Sequence, residues 1–343
     1  MDTKIITNPS EQDIDMLALA LRNGELVSIP TETVYGLGAN GLDPEAMDKI
    51  YAAKGRPSDN PLILHVSNSE SIKLLVTEVS TTAQALMDSF WPGPLTITLP
   101  KSDLVPDRAT GGLPRVALRC PDHDGCRLLL QRAGIPIAAP SANISGRPSP
   151  TTAQDVYNDM NGRISYILDA GPCTIGVEST VVEVHDDKVI ILRPGGITKA
   201  QLETVVSTVE YDTALVNAET KPKAPGMKYT HYAPDAPMTV VVGTPESVAN
   251  TFKELSKGIE GPIGCLVSHE TYELIKDDTR FMCHCFGYHG DTLALGHDFY
   301  KSLLHFNENH VTLILAEGVN DDGFGVAIMN RMEKASGHHI IYK

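Results

Sequence analysis

Apolar residues near the start of the chain recur at three- and four-residue steps: Ile14, Leu17, Ala18 and Leu21. They follow a capping-box pattern at Ser10 to Asp13 and precede Gly24, which predicts a helix. An unbroken apolar run, Leu26 to Ile29, then predicts a strand. Asp43 and Pro44 open a second helix with Met47, Ile50 and Tyr51 inward, and its end delivers Lys54 and Arg56 into a loop before a strand at Leu62 to Val66. Further strands are expected at Leu95 to Leu99, Val116 to Leu118, Ile135 to Ala139, Ile164 to Leu168, Thr180 to Val184 and Val189 to Leu192, the last two joined as a hairpin around Asp186 and Asp187. Alternating helices and strands imply a mixed sheet with helices packed on it.

Periodicity fails between about Ser207 and Pro237, where Lys221 to Gly226 reads as an extended linker and a domain boundary. Beyond it, strands at Thr239 to Val242, Ile263 to Val267 and Val311 to Leu315 alternate with helical patterns such as Leu295, Phe299, Leu303 and Phe306. A smaller parallel-sheet unit is expected there, with Gly325 to Met332 as an ordinary core helix.

At 343 residues and 42% hydrophobic content the chain can fill two cores. Its 43 Asp and Glu against 28 Lys and Arg give a net charge of -15, which works against broad electrostatic capture of nucleic acid. No apolar run approaches the roughly 18 residues that cross a bilayer. The N-terminus lacks a charged-then-apolar signal pattern, so a cytoplasmic protein without membrane contact is expected. Six cysteines suggest reduced thiols rather than a disulfide framework. A metal reading of Cys283-His284-Cys285 is weak, because adjacent strand residues alternate faces and no second cysteine pair follows at ligand spacing.

Against the acidic background, the segment Lys54 to His65 places two cations beside rigid prolines, which suits an anionic small ligand; a surface loop with stray cations is the plain alternative. Pro30 to Gly38 follows a strand with hydroxyls, a carboxylate and glycines, as a ligand-approaching loop would. Ala139 to Thr151 offers hydroxyl and amide donors for anionic oxygens, although Ser-Pro segments are often plain loops. Arg119 and Arg193 add cations at strand ends, where α/β proteins collect ligands. Neither a G-x-x-x-x-G-K-[ST] phosphate loop, a G-x-G-x-x-G fingerprint nor a G-x-S-x-G elbow is present.

Pro30 to Gly38, Lys54 to Pro57 with Asn60-Pro61-Leu62 and His65, Trp91 to Thr96, Pro140 to Asn143, Gly176 to Thr180 and Leu192 to Gly195 together resemble the threonylcarbamoyl-AMP synthases with a YrdC-like domain. Pro225 to Pro234 resembles the linker of the family's long, two-domain branch, so the likeness spans nearly the whole chain. The fold class implied is α/β: a twisted mixed-sheet YrdC-like catalytic domain over 1–207, a linker or lid over 208–237, and a smaller Rossmann-like parallel-sheet domain over 238–343. The resemblance also implies a reaction of L-threonine, bicarbonate or carbon dioxide, and ATP with Mg²⁺, giving threonylcarbamoyl-adenylate and pyrophosphate. The product would pass to a transferase modifying the tRNA adenosine beside the anticodon, with weak or no direct tRNA binding.

By that likeness Lys54, Arg56, Asn60, Arg115, Ser141, Ser149, Arg193 and Tyr232 hold ATP, Lys54 and Arg56 acting on the phosphates, while Thr33, His65, Arg119, Ala139 and Ser179 hold threonine. Arg115 stands where a small polar residue is commoner in the family, and Cys120 where an apolar one is. Magnesium would ride mainly on ATP, with Glu32 and Glu178 as outer contributors. Two rival readings remain: an RNA-binding module, separable by steep salt dependence, and carbamoyl transfer from carbamoyl phosphate, separable by its indifference to threonine.

Overall fold

The computed structural model describes residues 2–186, 188–215 and 232–343. The chain divides into two compact units, Met1–Ser145 with Ser149–Thr174 and Glu178–Tyr229, and Gly146–Pro148 with Ile175–Val177 and Thr230–Lys343. Lys221 to Gly226 and the Pro225 to His231 part of the expected lid lie outside the described residues. No helix among the described residues is long and apolar enough to cross a membrane.

The first unit carries β1 (Lys4–Thr7), β2 (Val27–Ile29), β3 (Gly36–Asn40), β4 (Ile63–His65), β5 (Leu95–Pro100), β6 (Arg115–Arg119), β7 (Ile137–Ala138), β8 (Tyr166–Asp169), β9 (Thr180–Val184), β10 (Val189–Arg193) and β11 (Val209–Tyr211). These form one mixed sheet in the order β1-β8-β2-β3-β7-β4-β6-β5-β9-β10-β11. The second unit has β12 (Met238–Val242), β13 (Ile263–Ser268), β14 (Phe281–Gly287), β15 (Leu313–Glu317) and β16 (Ile340–Tyr342), paired in parallel in the order β14-β13-β15-β12-β16. An α/β fold with a mixed sheet followed by a smaller parallel sheet is therefore the architecture, as the sequence implied.

Local chemistry accounts for the elements that carry the candidate site. Ser10 caps the helix Glu11–Arg22 in a reciprocal capping box with Asp13, and the helix buries Ile14, Leu17 and Leu21. Each buried leucine contributes about 1.5–3 kcal/mol relative to exposure. That helix and Asp124–Ala133 cover one face of the sheet, against Val27, Ile29, Ile137 and Ala139. Alternate residues Leu37, Ala39 and Ala138 turn to the opposite face, beneath Met47 and Ile50 of the helix Pro44–Lys54, as the two-residue period of a strand requires. This second helix starts on the Asp43 side chain and ends at Gly55 in the left-handed region, φ 61°, leaving Lys54 as its last residue.

Several expectations need correction. Gly36 to Gly38 was expected as loop, but these residues open β3. Glycine, poor in strand propensity, is needed here because the neighbours come so close: a Cβ on Gly38 would sit 2.9 Å from Ile137 Cγ2 and 2.9 Å from the Val27 carbonyl oxygen. The strand expected at Ile135 to Ala139 shrinks to Ile137–Ala138, and the one at Val311 to Leu315 shifts to Leu313–Glu317. Strands β1, β11 and β16 went unread; each is short and lies at a sheet edge, where packing on one side leaves a weak hydrophobic pattern.

Candidate active site

One end of the first sheet gathers a buried polar cluster. Parallel pairing sets His65, the last residue of β4, beside Arg119, the last of β6. Antiparallel β5 begins at the same end, since Ile97 pairs with Leu118, and β9 begins there too, Leu95 pairing with Thr180. Arg119 is 4% exposed. Its Nη1 donates to Thr33 Oγ1 at 2.9 Å and its Nε to the Gly93 carbonyl at 3.3 Å. Its Nη2 lies 2.8 Å from Glu32 Oε1 as an ion pair. That pair is close without hydrogen-bond alignment, so Nη2 and both Glu32 carboxylate oxygens have no hydrogen-bond partner in the protein. Burial of either charge alone would be strongly unfavourable, and together they compensate.

Thr33 is further fixed through Thr31, whose hydroxyl lies 2.9 Å from Thr33 Oγ1 and accepts from the Thr33 amide at 3.1 Å. His65 is buried, its Nδ1 3.2 Å from the Ile63 carbonyl. Burial first, and then the Arg119 charge, push its pKa down to about 3, so the ring is a neutral donor and acceptor. Ala139 is buried with its amide on the Ile63 carbonyl at 3.0 Å. Ser179 Oγ lies 2.8 Å from Thr96 Oγ1 and accepts from Arg193 Nη2 at 3.1 Å. Arg193 also donates to the Ser179 carbonyl, at 3.0 Å from Nη2 and 3.2 Å from Nε. Gly195 must lack a side chain, because a Cβ there would lie 2.3 Å from the Ser179 carbonyl carbon.

The expected ATP residues fall into linked groups. Lys54 Nζ donates to the carbonyls of Ser141 and Asn143, each at 2.5 Å, and lies 3.3 Å from Asn143 Oδ1. All three ammonium protons thus have acceptors in this loop, and the Ser145 amide returns a bond to the Lys54 carbonyl at 2.8 Å. Burial, then the Arg56 charge, hold the Lys54 pKa well below the ordinary lysine range. Arg56 donates to the Pro61 carbonyl at 3.3 Å. Asn60 is 1% exposed, and neither its Oδ1 nor its Nδ2 has a hydrogen-bond partner. Ser149 Oγ donates to Glu178 Oε1 at 2.7 Å, both residues buried. Lys54, Arg56, Arg119 and Arg193 are all buried, so the stray surface cations of the plain alternative are not what the structure contains.

Arg115 stands apart. It begins β6, about 13 Å along the strand from Arg119 at the usual rise. Its Nη2 donates to the carbonyls of Thr98 at 2.8 Å and Val184 at 2.9 Å. Together with Pro61, Leu62, Thr98, Glu183 and Leu192 it lines a cavity of about 240 Å³. Thr98 Oγ1 and Arg115 Nε have no partner there. Tyr232 belongs to the second unit, buried with its ring 5.3 Å from that of Tyr300 and Arg331 stacked at 5.9 Å. Cys120 packs in the first unit's core, and burial pushes its thiol up to about 11.

Two pairings escaped the sequence reading. Glu32, expected near magnesium, is the ion-pair partner of Arg119, and Thr96 braces Ser179; the first lay within the Pro30 to Gly38 segment and the second closes the Trp91 to Thr96 motif. Among the described residues no set of three His, Cys, Asp or Glu side chains gathers to hold a metal.

A family model described as telomere recombination matches residues 19–195, and one described as the threonylcarbamoyl-AMP synthase C-terminal domain matches residues 197–337. The threonylcarbamoyl-AMP synthase of Bacillus subtilis (strain 168) is 45% identical over 333 residues, 97% of this chain and 95% of the relative. That of Schizosaccharomyces pombe is 38% identical over 376 residues, 97% of this chain and 91% of the relative. The crystal structure of P. abyssi Sua5 complexed with L-threonine is similar with a TM-score of 0.90 at 40% identity, covering 100% of both chains.

Proposed function

Because the chain belongs to the threonylcarbamoyl-AMP synthase family, we propose that it makes L-threonylcarbamoyl-AMP and pyrophosphate from L-threonine, bicarbonate or carbon dioxide, and ATP. The product would serve threonylcarbamoylation of the tRNA adenosine next to the anticodon, handed to a separate transferase. The observation that carries this reading is the buried Arg119–Glu32 pair, flanked by Thr33 and neutral His65. An amino acid brings one carboxylate and one amine. Arg119 Nη2 and the Glu32 oxygens, still without hydrogen-bond partners, match those two groups in sign and number. The L-threonine complexed with P. abyssi Sua5 supports threonine as a substrate.

Once neutral, the threonine amine adds to carbon dioxide, forming the N–C bond of a carbamate as one N–H proton passes to solvent. A carbamate oxygen then attacks the ATP α-phosphorus, and the bond to the β-phosphate oxygen breaks as pyrophosphate leaves. Substrates supply both nucleophile and leaving group, so the chain's task is to position them and to stabilise charge. Arg56 and Arg193 are the cations we place on the phosphates, with Ser141 and Ser149 beside them, their hydroxyls turned to Asn143 Oδ1 and Glu178 Oε1. Lys54 shapes the 141–145 loop that presents Ser141. The adenine takes the cavity between Leu62 and Leu192, where Thr98 and Arg115 offer polar edges. Magnesium carried on ATP would draw charge from the leaving pyrophosphate; Glu178, hydrogen-bonded to Ser149, is the carboxylate we place beside it.

The deciding assay follows pyrophosphate release from ATP and bicarbonate with and without L-threonine. Release is expected only with threonine. Release that ignores threonine, or that demands carbamoyl phosphate, would remove the assignment.

A further inference from the structure

In the second unit, β13 and β14 pair in parallel from Ile263 opposite Phe281 to Val267 opposite Cys285, which sets Cys265 directly across from Cys283. Register partners on neighbouring strands lie about 4.8 Å apart, within the Cα separation that a disulfide spans. Both side chains join the same apolar cluster with Val241, Phe252 and Leu315. Both thiols are free, Cys265 fully buried and Cys283 half-buried on the edge strand. We infer that Cys265 and Cys283 form a dithiol that peroxides convert reversibly into a disulfide, strapping the edge strand β14 to β13.

Their polarity suits the step. Each thiol faces the carbonyl two residues before it, Cys265 that of Ile263 and Cys283 that of Phe281, both at 3.9 Å; the neighbouring Cys265 thiol holds the Cys283 pKa below the ordinary thiol range, while burial holds Cys265 well above it. Cys283 is therefore the attacking sulfur. Its thiolate takes one oxygen of hydrogen peroxide as the O–O bond breaks, giving a sulfenic acid and hydroxide, which becomes water with the proton the thiol released. The Cys265 sulfur then displaces the sulfenic hydroxyl, the S–S bond forms, and a second water leaves with the Cys265 proton. Two thiols are oxidised by two electrons, and one peroxide is reduced to two waters. Cys285 is exposed but has Val267 opposite it, and His284 turns its ring to Asp298 at 2.9 Å, so neither competes for the pair. A disulfide needs Cβ atoms closer than an undistorted ladder allows, so a dithiol reductant should reopen it readily.

The full-length protein is treated with hydrogen peroxide, alkylated under denaturing, non-reducing conditions, digested and mapped by mass spectrometry. A peptide linked through Cys265 and Cys283 is expected, with equal loss of both free thiols and full recovery by dithiothreitol. Cys285→Ser should keep the link, whereas Cys283→Ser should abolish it; that variant changes a half-buried edge position and so avoids the core disruption expected of Cys265→Ser. Alkylation of both residues as free thiols after Cys285 is fully oxidised would overturn the proposal, and so would a link between Cys283 and Cys285.

Discussion

Among single residues, Glu32 shows how a side chain can be visible in a sequence while its folded partner is not. As a lone carboxylate in a loop it suggested an outer contact to magnesium; folded, it is the counter-charge that lets Arg119 be buried at all. Glu32→Gln removes that charge with little change of shape. We expect a loss of about 3 kcal/mol in urea unfolding, as for other broken buried pairs, with a raised KM for threonine. Unchanged stability together with unchanged KM would contradict the compensation argument. Ser179 came only with the family resemblance, whereas Arg119 and Arg193 could be picked out in the sequence because they stand at strand ends, and His65 because it closes a polar motif. Partners such as Thr96 could not, since which strand lies beside β9 depends on sheet order, and no local pattern encodes that.

For whole elements, legibility followed how strongly each buried face is written. The helix Glu11–Arg22 and the hairpin of β9 and β10 were read almost residue for residue, because caps, periodicity and turn agree. Strand β3 was not, because its pairing partners crowd out side chains and leave glycines where β-branched residues would have signalled a strand. Gly38→Ala should therefore destabilise the protein by about 1–3 kcal/mol, as overpacking does. A thermal melt is the check, and a variant as stable as the parent would show that Ile137 and the Val27 carbonyl can withdraw. The same element sets the site, since the Gly36 bridge to Ser141 ties the Thr31 to Tyr35 segment to the loop that Lys54 holds.

At the scale of the whole molecule, the folded chain should sense acid through His65. Its pKa is about 3 when folded against 6.5 for an ordinary histidine, so between those limits the unfolded chain binds a proton that the folded one refuses. This contribution is complete above pH 6.5 and falls as pH drops toward 3, with a slope of up to about 1.4 kcal/mol per pH unit. Urea unfolding at pH 7, 5 and 4 measures it, and His65→Asn should flatten the difference; parallel curves for parent and variant would refute the burial argument. Two separate cores were foreseen from composition, but the edge strands β1, β11 and β16 were not, as edges carry half the packing. Lys54, with every proton engaged by the 141–145 carbonyls, bears on how fast a ligand can be admitted. A loop ordered by folding needs no ordering on encounter, so the entropy of fixing it is absent from the association step, and nucleotide exchange is left to depend on contacts that break one at a time.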